Sequence, residues 1–404
     1  MRGSHVRSPE GLRPDHPAQA PGHDGDDADR FRSDVPGNRR RALWRSTPRL
    51  GGVVPSTGGE KPDSGPLSGG GQHPSGSGTA DGRSVGTARG GEHPRGPRFD
   101  RPIAPGGYAW WYVDALSDDG QHGLALIVLI GSVFSPHYFR ARRRGIADPR
   151  DHAAFNVALY GAGGHRWALT ERGRRALDRR ATALSIGPSC IDWNGTTLTI
   201  RLDEITFPIP SRLKGTIRIH PDGLSDAIYM LDRAGRHRWS PHVPCARIEV
   251  DLPRPGLAWS GRGYLDGNDG DRPLQEDFVR WDWSRASNAG GATVLYDVTR
   301  RNDVATTLAL RFDPNGSVVL AEPPPSCTLP QTRWRVARGT RADQGRAAQV
   351  VRTLEDTPFY ARSLLWTHLF GAATPAIHES LDLDRFQSPW VQALLPFKNP
   401  RRAG

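Results

Sequence analysis

An all-β protein is predicted, and three features of the chain predict it. From Tyr108 onward, short apolar runs alternate with turns rich in Gly, Asn and Asp. The runs favour aromatic and β-branched residues, which suit a pleated surface. The longest continuous run, Leu124–Ile130, is far short of the roughly 20 apolar residues a bilayer span needs, so it reads as a buried strand. Many short strands in this rhythm imply a sheet that closes or stacks.

The opening stretch is of a different kind. Residues 1–100 hold 20 Gly and 12 Pro, and their only aromatics are Phe31, Trp44 and Phe99. So little apolar surface cannot offset the entropy of ordering, and residues 1–98 are expected to be a disordered leader. They contain no apolar stretch of the kind that directs secretion, and Met1-Arg2-Gly3-Ser4-His5 resembles the start of an expression tag.

Strands follow. Tyr108–Asp114, a turn at Ser117–Gly120 and Leu124–Ile130 form a first hairpin; Ala154–Tyr160 and His165–Thr170 form a second, with Trp167 pointing inward. Short strands continue at Leu184–Gly187, Cys190–Trp193, Thr197–Leu202, Ile205–Pro208 and Gly215–His220. The rhythm breaks at Pro253-Arg254-Pro255 and restarts with Leu257–Asp266, Asp277–Ser284, Ala292–Thr299 and Ala305–Phe312. A division into a β domain at 99–252 and a second at 253–404 is therefore expected. Phe359–Phe370, just after Pro358, has the length and apolar spacing of one helix.

A net charge of +11 and a pI near 10.2 raise nucleic acid as a partner. No zinc-ligand spacing, helix-turn-helix pattern or aromatic RNA-binding signature accompanies the charge, so none is expected. One basic cluster has a functional reading: Arg140, Arg142, Arg143 and Arg144 follow on Phe134, Tyr138 and Phe139, a combination suited to a membrane interface with anionic lipid, against the plainer reading of a solvated loop. Cys190, Cys245 and Cys327 are too widely spaced for a metal pair or a disulfide framework, which fits a reduced cytoplasmic setting. Walker, GxGxxG and HExxH patterns are all missing, and no cofactor or metal is expected.

The chemistry concentrates between His237 and Trp283. The chain reads His237-Arg238-Trp239, then Trp259 and Tyr264-Leu265-Asp266, then Trp281-Asp282-Trp283. On extended backbone, residues two apart share a face, so His237 sits beside Trp239 and Tyr264 beside Asp266. A carboxyl lodged against indole and phenol rings is poorly solvated and holds its proton toward neutral pH. Against this, Leu-Asp-Gly-Asn is also a turn sequence, tryptophans are usually core, and His237 stands in what could be an exposed turn. Asp269 and Asp271 are neighbouring carboxylates that read as a solvated loop.

This arrangement resembles the carotenoid 1,2-hydratases, or hydroxyneurosporene synthases, of phototrophic bacteria. The resemblance extends from Gly106-Gly-Tyr-Ala-Trp-Trp-Tyr112-Val-Asp114 through Glu355-Asp-Thr-Pro-Phe-Tyr-Ala-Arg362 and His378-Glu-Ser-Leu-Asp382 to Ser388-Pro-Trp-Val-Gln392. It implies two lipocalin-like β-barrels, a fold shared with isomerases and pericyclases of different chemistry. It implies addition of water to the terminal C1–C2 double bond of an acyclic carotene, without cofactor, at the surface of the photosynthetic membrane. Asp266 is then the candidate acid, Tyr264 and Trp239 steady the cation, and His237 holds the water or accepts its proton. Trp110, Trp259 and Trp281 are candidate substrate-binding residues. A carotenoid- or lipid-binding protein and an isomerase or pericyclase of the same fold remain alternatives.

Overall fold

The computed structural model describes residues 96–402, apart from 146, 162, 163, 289 and 303. The leader expected at 1–98 lies almost wholly outside the described residues. Phe99, directly after it, is fully buried against Trp111, with ring centroids 5.0 Å apart.

Strands dominate, as the sequence predicts, in two main sheets. The larger has fourteen strands. Its centre is formed by β1 (Tyr108–Ser117), β2 (His122–Ile130), β3 (Ala153–Gly161), β4 (His237–Arg254) and β5 (Leu257–Gly270), in the order β3, β2, β1, β5, β4. The smaller sheet has seven, centred on β6 (Phe278–Asn288), β7 (Gly291–Arg300), β8 (Tyr360–Leu369) and β9 (Ala372–Asp382), in the order β7, β6, β9, β8. The division expected at 252/253 falls by the turn between β4 and β5, both in the larger sheet; the chain changes sheet between Gly270 and Phe278.

The central strands of the larger sheet are buried on both faces. From β1, Trp111, Val113 and Ala115 enter an aliphatic core with Leu124, Leu126 and Val128 of β2. Tyr108 and Tyr112 point the other way, into an aromatic core shared with Trp281, Trp283 and Tyr296 of the smaller sheet. The two-residue period of a strand thus sorts one run of sequence into two environments.

The segment 359–370 corrects an expectation: it is the strand β8, paired to β9 on one side and to Gln349–Asp356 on the other. Both faces of β8 are buried, Leu364 in the aromatic core and Leu365 and Leu369 in a third cluster. A strand covered on both sides loses its polar alternation and reads like a buried helix. The C-terminal helices come later and are shorter, Leu383–Gln387 and Pro389–Leu394.

The basic cluster also differs from a loop. It lies on the helix Pro136–Arg143, whose start is capped by the Ser135 hydroxyl accepting from the backbone N–H of His137 and Tyr138. Tyr138 is fully buried, and Phe134 and Phe139 both pack on Phe386. The aromatics beside these arginines are therefore committed to the interior. The Arg142 guanidinium lies 4.3 Å over the Tyr138 ring, leaving Arg140, Arg143 and Arg144 exposed.

Candidate active site

Between the aromatic faces of the two sheets lies a cavity of about 660 Å³. Strand register decides what lines it. Tyr112 is paired with Asp266, and Trp110 with Asn268, so all four stand on the cavity face of the larger sheet. On the smaller sheet Glu379 is paired with both Trp283 and Arg362, which sets a second polar row opposite the first. Trp110, Trp281, Trp283 and Tyr296 form the walls, Trp281 and Tyr296 being 5.2 Å apart between centroids.

Asp266 is the centre of this arrangement. It is buried, and its Oδ2 accepts two hydrogen bonds, from Trp239 Nε1 at 2.8 Å and from Tyr264 Oη at 2.9 Å. Oδ1 is buried with no hydrogen-bond partner among the described residues. Burial pushes the carboxyl up to about 7; the nearby negative charges of Glu379 and Asp114 add to this, and the two donors oppose it. With both donors on Oδ2, the proton belongs on Oδ1.

The opposing row is ionic. Glu379 Oε1 accepts from Tyr112 Oη at 2.8 Å and from Arg362, whose other nitrogen meets Asp114. Asp114 also binds Arg285, 2.8 Å from Nε, and the Arg285 guanidinium lies 5.5 Å from the Tyr264 ring centroid. Two guanidinium groups thus balance two carboxylates. Among the described residues no cation is paired with Asp266.

The remaining expected residues fall in three places. Trp110 and Trp281 line the cavity, 6.4 Å apart between ring centroids. Trp239 and Tyr264 are fully buried behind it, and each gives its polar hydrogen to Asp266. His237 is also behind the wall: Nε2 donates to Asp277 at 2.8 Å and Nδ1 accepts from Tyr108 Oη at 2.9 Å. Its burial holds the imidazole below its ordinary value, and both nitrogens are occupied. Tyr108 in turn stacks on Trp110, 4.9 Å between centroids. Trp259 is away from the site, beside His122 and packed on the aliphatic core, because its odd number on β5 puts it on the face of Leu265. Asp269 and Asp271 are both paired with Arg238.

The functional candidates that the sequence left without roles are Tyr112, Asp114, Arg362 and Glu379. They stand inside the very motifs that carry the family resemblance, which was the available signal.

Known proteins resemble this chain along most of its length. Residues 126–404 match the family described as carotenoid hydratase CrtC. The chain is 50% identical to the acyclic carotenoid 1,2-hydratase of Thiocapsa roseopersicina, with 100% of both chains covered. It is 46% identical to that of Rubrivivax gelatinosus, over 96% of this chain and 95% of that one. Among solved structures, that of an AttH from Nitrosomonas europaea aligns with a TM-score of 0.48 at 16% identity, covering 74% of this chain and 98% of the other. The family match over most of the chain and the full-length relative at 50% identity lead to one conclusion: the chain belongs to the carotenoid hydratase family.

Proposed function

We propose that the protein adds water across the terminal C1–C2 double bond of an acyclic carotene, with Asp266 as the acid. The observation that carries this is the Asp266 carboxyl: pushed up to about 7 by burial, anchored through Oδ2, and set in the wall of an apolar cavity with Oδ1 unpaired among the described residues. Protonation of C2 by Oδ1–H gives a tertiary cation at C1. The faces of Trp110, Trp281 and Trp283 steady it, each worth about 2 kcal/mol when desolvated. Water then adds at C1 and loses a proton. Trp239 and Tyr264 act through Asp266 and position it; they stabilise the carboxylate left after transfer. His237 fixes Tyr108 and through it the Trp110 wall. Purified protein incubated with lycopene or neurosporene in oxygen-18 water should yield a labelled mono-hydroxylated product. A carotene-binding protein would return the carotene unchanged, and an isomerase or pericyclase would give an unlabelled product.

Tyr264→Phe removes one of the two donors on Oδ2. Because that hydrogen bond favours the charged form, its loss should move the falling limb of the pH–activity profile up by about one pH unit. Turnover at neutral pH should drop about threefold, since the conjugate base is less stabilised while more of the carboxyl is protonated. A profile unchanged in position would refute the positioning role of Tyr264.

Carotenes dissolve in lipid, so substrate must enter from a bilayer, and we place the contact at the cavity mouth. Trp334, Leu394 and Phe397 line the cavity and are also exposed, Phe397 at 71%. Trp390 stacks on Trp334, whose chain neighbours Arg333 and Arg335 are exposed, as is Lys398 at the cavity rim. Apolar and basic groups together suit an anionic membrane surface. No helix among the described residues is long and apolar enough to cross a membrane; the contact proposed is a peripheral one. Replacing Trp334, Trp390 and Phe397 with Ser should weaken binding to phosphatidylglycerol vesicles at least tenfold, more than Ser at Arg140, Arg143 and Arg144 does. Equal binding by the wild type and the aromatic variant would remove the mouth as the docking face.

A further inference from the structure

We propose that Glu379 is the catalytic residue on the water side of the reaction, taking the proton from the water that adds to C1. This rests on the hydration reading above and assigns its second half. An acid alone leaves the addition incomplete, because the oxonium formed when water meets the cation must lose a proton inside an apolar cavity.

Glu379 meets the requirements of that role by position. It lines the same cavity as Asp266 but stands on the opposing sheet. A carotene end held between the sheets would have the acid on one side and this carboxylate on the other. Tyr112, the register neighbour of Asp266, donates to Glu379 Oε1 at 2.8 Å, and Arg362 binds the same oxygen. These contacts fix the carboxylate, while its side chain keeps 20% of its surface accessible. Burial pushes it above the ordinary carboxylate range, which makes it a better base than an exposed glutamate.

Two other carboxylates line the cavity, Asp356 and Glu355, each with a contact of its own. Asp356 accepts from the backbone N–H of Arg333 and Trp334 at the mouth, and Glu355 lies 3.4 Å from His165.

The charge balance also favours the pair. Before reaction Asp266 is neutral and Glu379 negative; after it Asp266 is negative and Glu379 neutral. The C2–H bond and the C1–O bond form, the alkene π bond and one O–H bond of water break, and the total charge beside Arg362 and Arg285 is the same throughout. A buried site that conserves its charge avoids the cost of creating a new uncompensated ion. One proton passing back from Glu379 to Asp266 through water resets the enzyme, and the sum is alkene plus water to alcohol.

Two readouts on lycopene in deuterium oxide separate this role from that of Asp266: formation of the hydroxylated product, and entry of deuterium at C2 of recovered lycopene. Glu379→Gln keeps the oxygen that Tyr112 and Arg362 need. It should lose hydration by about 100-fold or more yet still exchange at C2, because Asp266 delivers deuterium to C2 and the cation, after turning about the C1–C2 bond, gives up the protium that C2 first carried. Asp266→Asn should lose both. If Glu379→Gln hydrates within about threefold of wild type, or if it melts normally and loses exchange as well, the proposal is overturned. If the Gln variant does not fold, Glu379→Asp, which keeps the charge beside Arg362 but withdraws it by one methylene, is held to the same two outcomes. Retained exchange in Asp266→Asn would instead overturn the assignment of the acid and leave the Glu379 result readable.

Discussion

Asp266→Asn is expected to fold, to bind carotene and to lose hydration by 10²–10⁴-fold, the range that general acid catalysis supplies. Asparagine keeps an oxygen to accept from Trp239 and Tyr264, and removes the transferable proton at Oδ1. The same substitution should raise stability. A carboxyl held at about 7 in the folded chain and near 3.8 when unfolded binds more protons in the native state, so the fold loses stability as pH rises from about 4 to about 7. Three pH units correspond to about 4 kcal/mol at pH 7 and above. The variant should therefore melt higher than wild type at pH 8 and match it near pH 4. More than about a tenth of wild-type turnover in Asp266→Asn would place the acid elsewhere.

Arg362→Met should be the most destabilising substitution in the site. Arg362 is 1% exposed and serves Asp114, Glu379 and Tyr112 at once. Its removal leaves buried Asp114 with Arg285 alone and takes from Glu379 the guanidinium it is paired with. Breaking a buried pair by removing one partner costs about 3–5 kcal/mol, equivalent to a melting temperature lower by roughly 5–8 °C for a fold of this size. Denaturant unfolding of the variant measures this directly. A loss below about 1 kcal/mol would mean that the carboxylates find water or protons instead.

Much of this was legible in the sequence, and parity explains where reading it stopped. The even positions Tyr264 and Asp266 share a face because β5 is extended, and the structure joins them by a hydrogen bond. The same alternation puts Trp259 on the opposite face, so its grouping with them by proximity in sequence did not survive. The segment 359–370 misled because a strand covered on both faces has no polar stripe to reveal its period. Trp239 is a candidate in the sequence, but whether its indole offers a face or an N–H depends on which side of the wall it occupies. The Tyr112, Asp114, Arg362 and Glu379 network could not be assembled by inspection. Its contacts join residues as far as 267 positions apart and depend on the register between two sheets. Family motifs contain all four residues, yet pairing them required the fold.

Asp266 should carry a proton close to neutral pH, and infrared difference titration tests this most directly. The carboxylic C=O stretch of wild type minus that of Asp266→Asn, followed from about pH 5 to about pH 9, should show a protonated carboxyl that disappears with a midpoint near 7. If no such band is present at about pH 6, Asp266 is already ionised there, and it is not the acid that protonates the alkene.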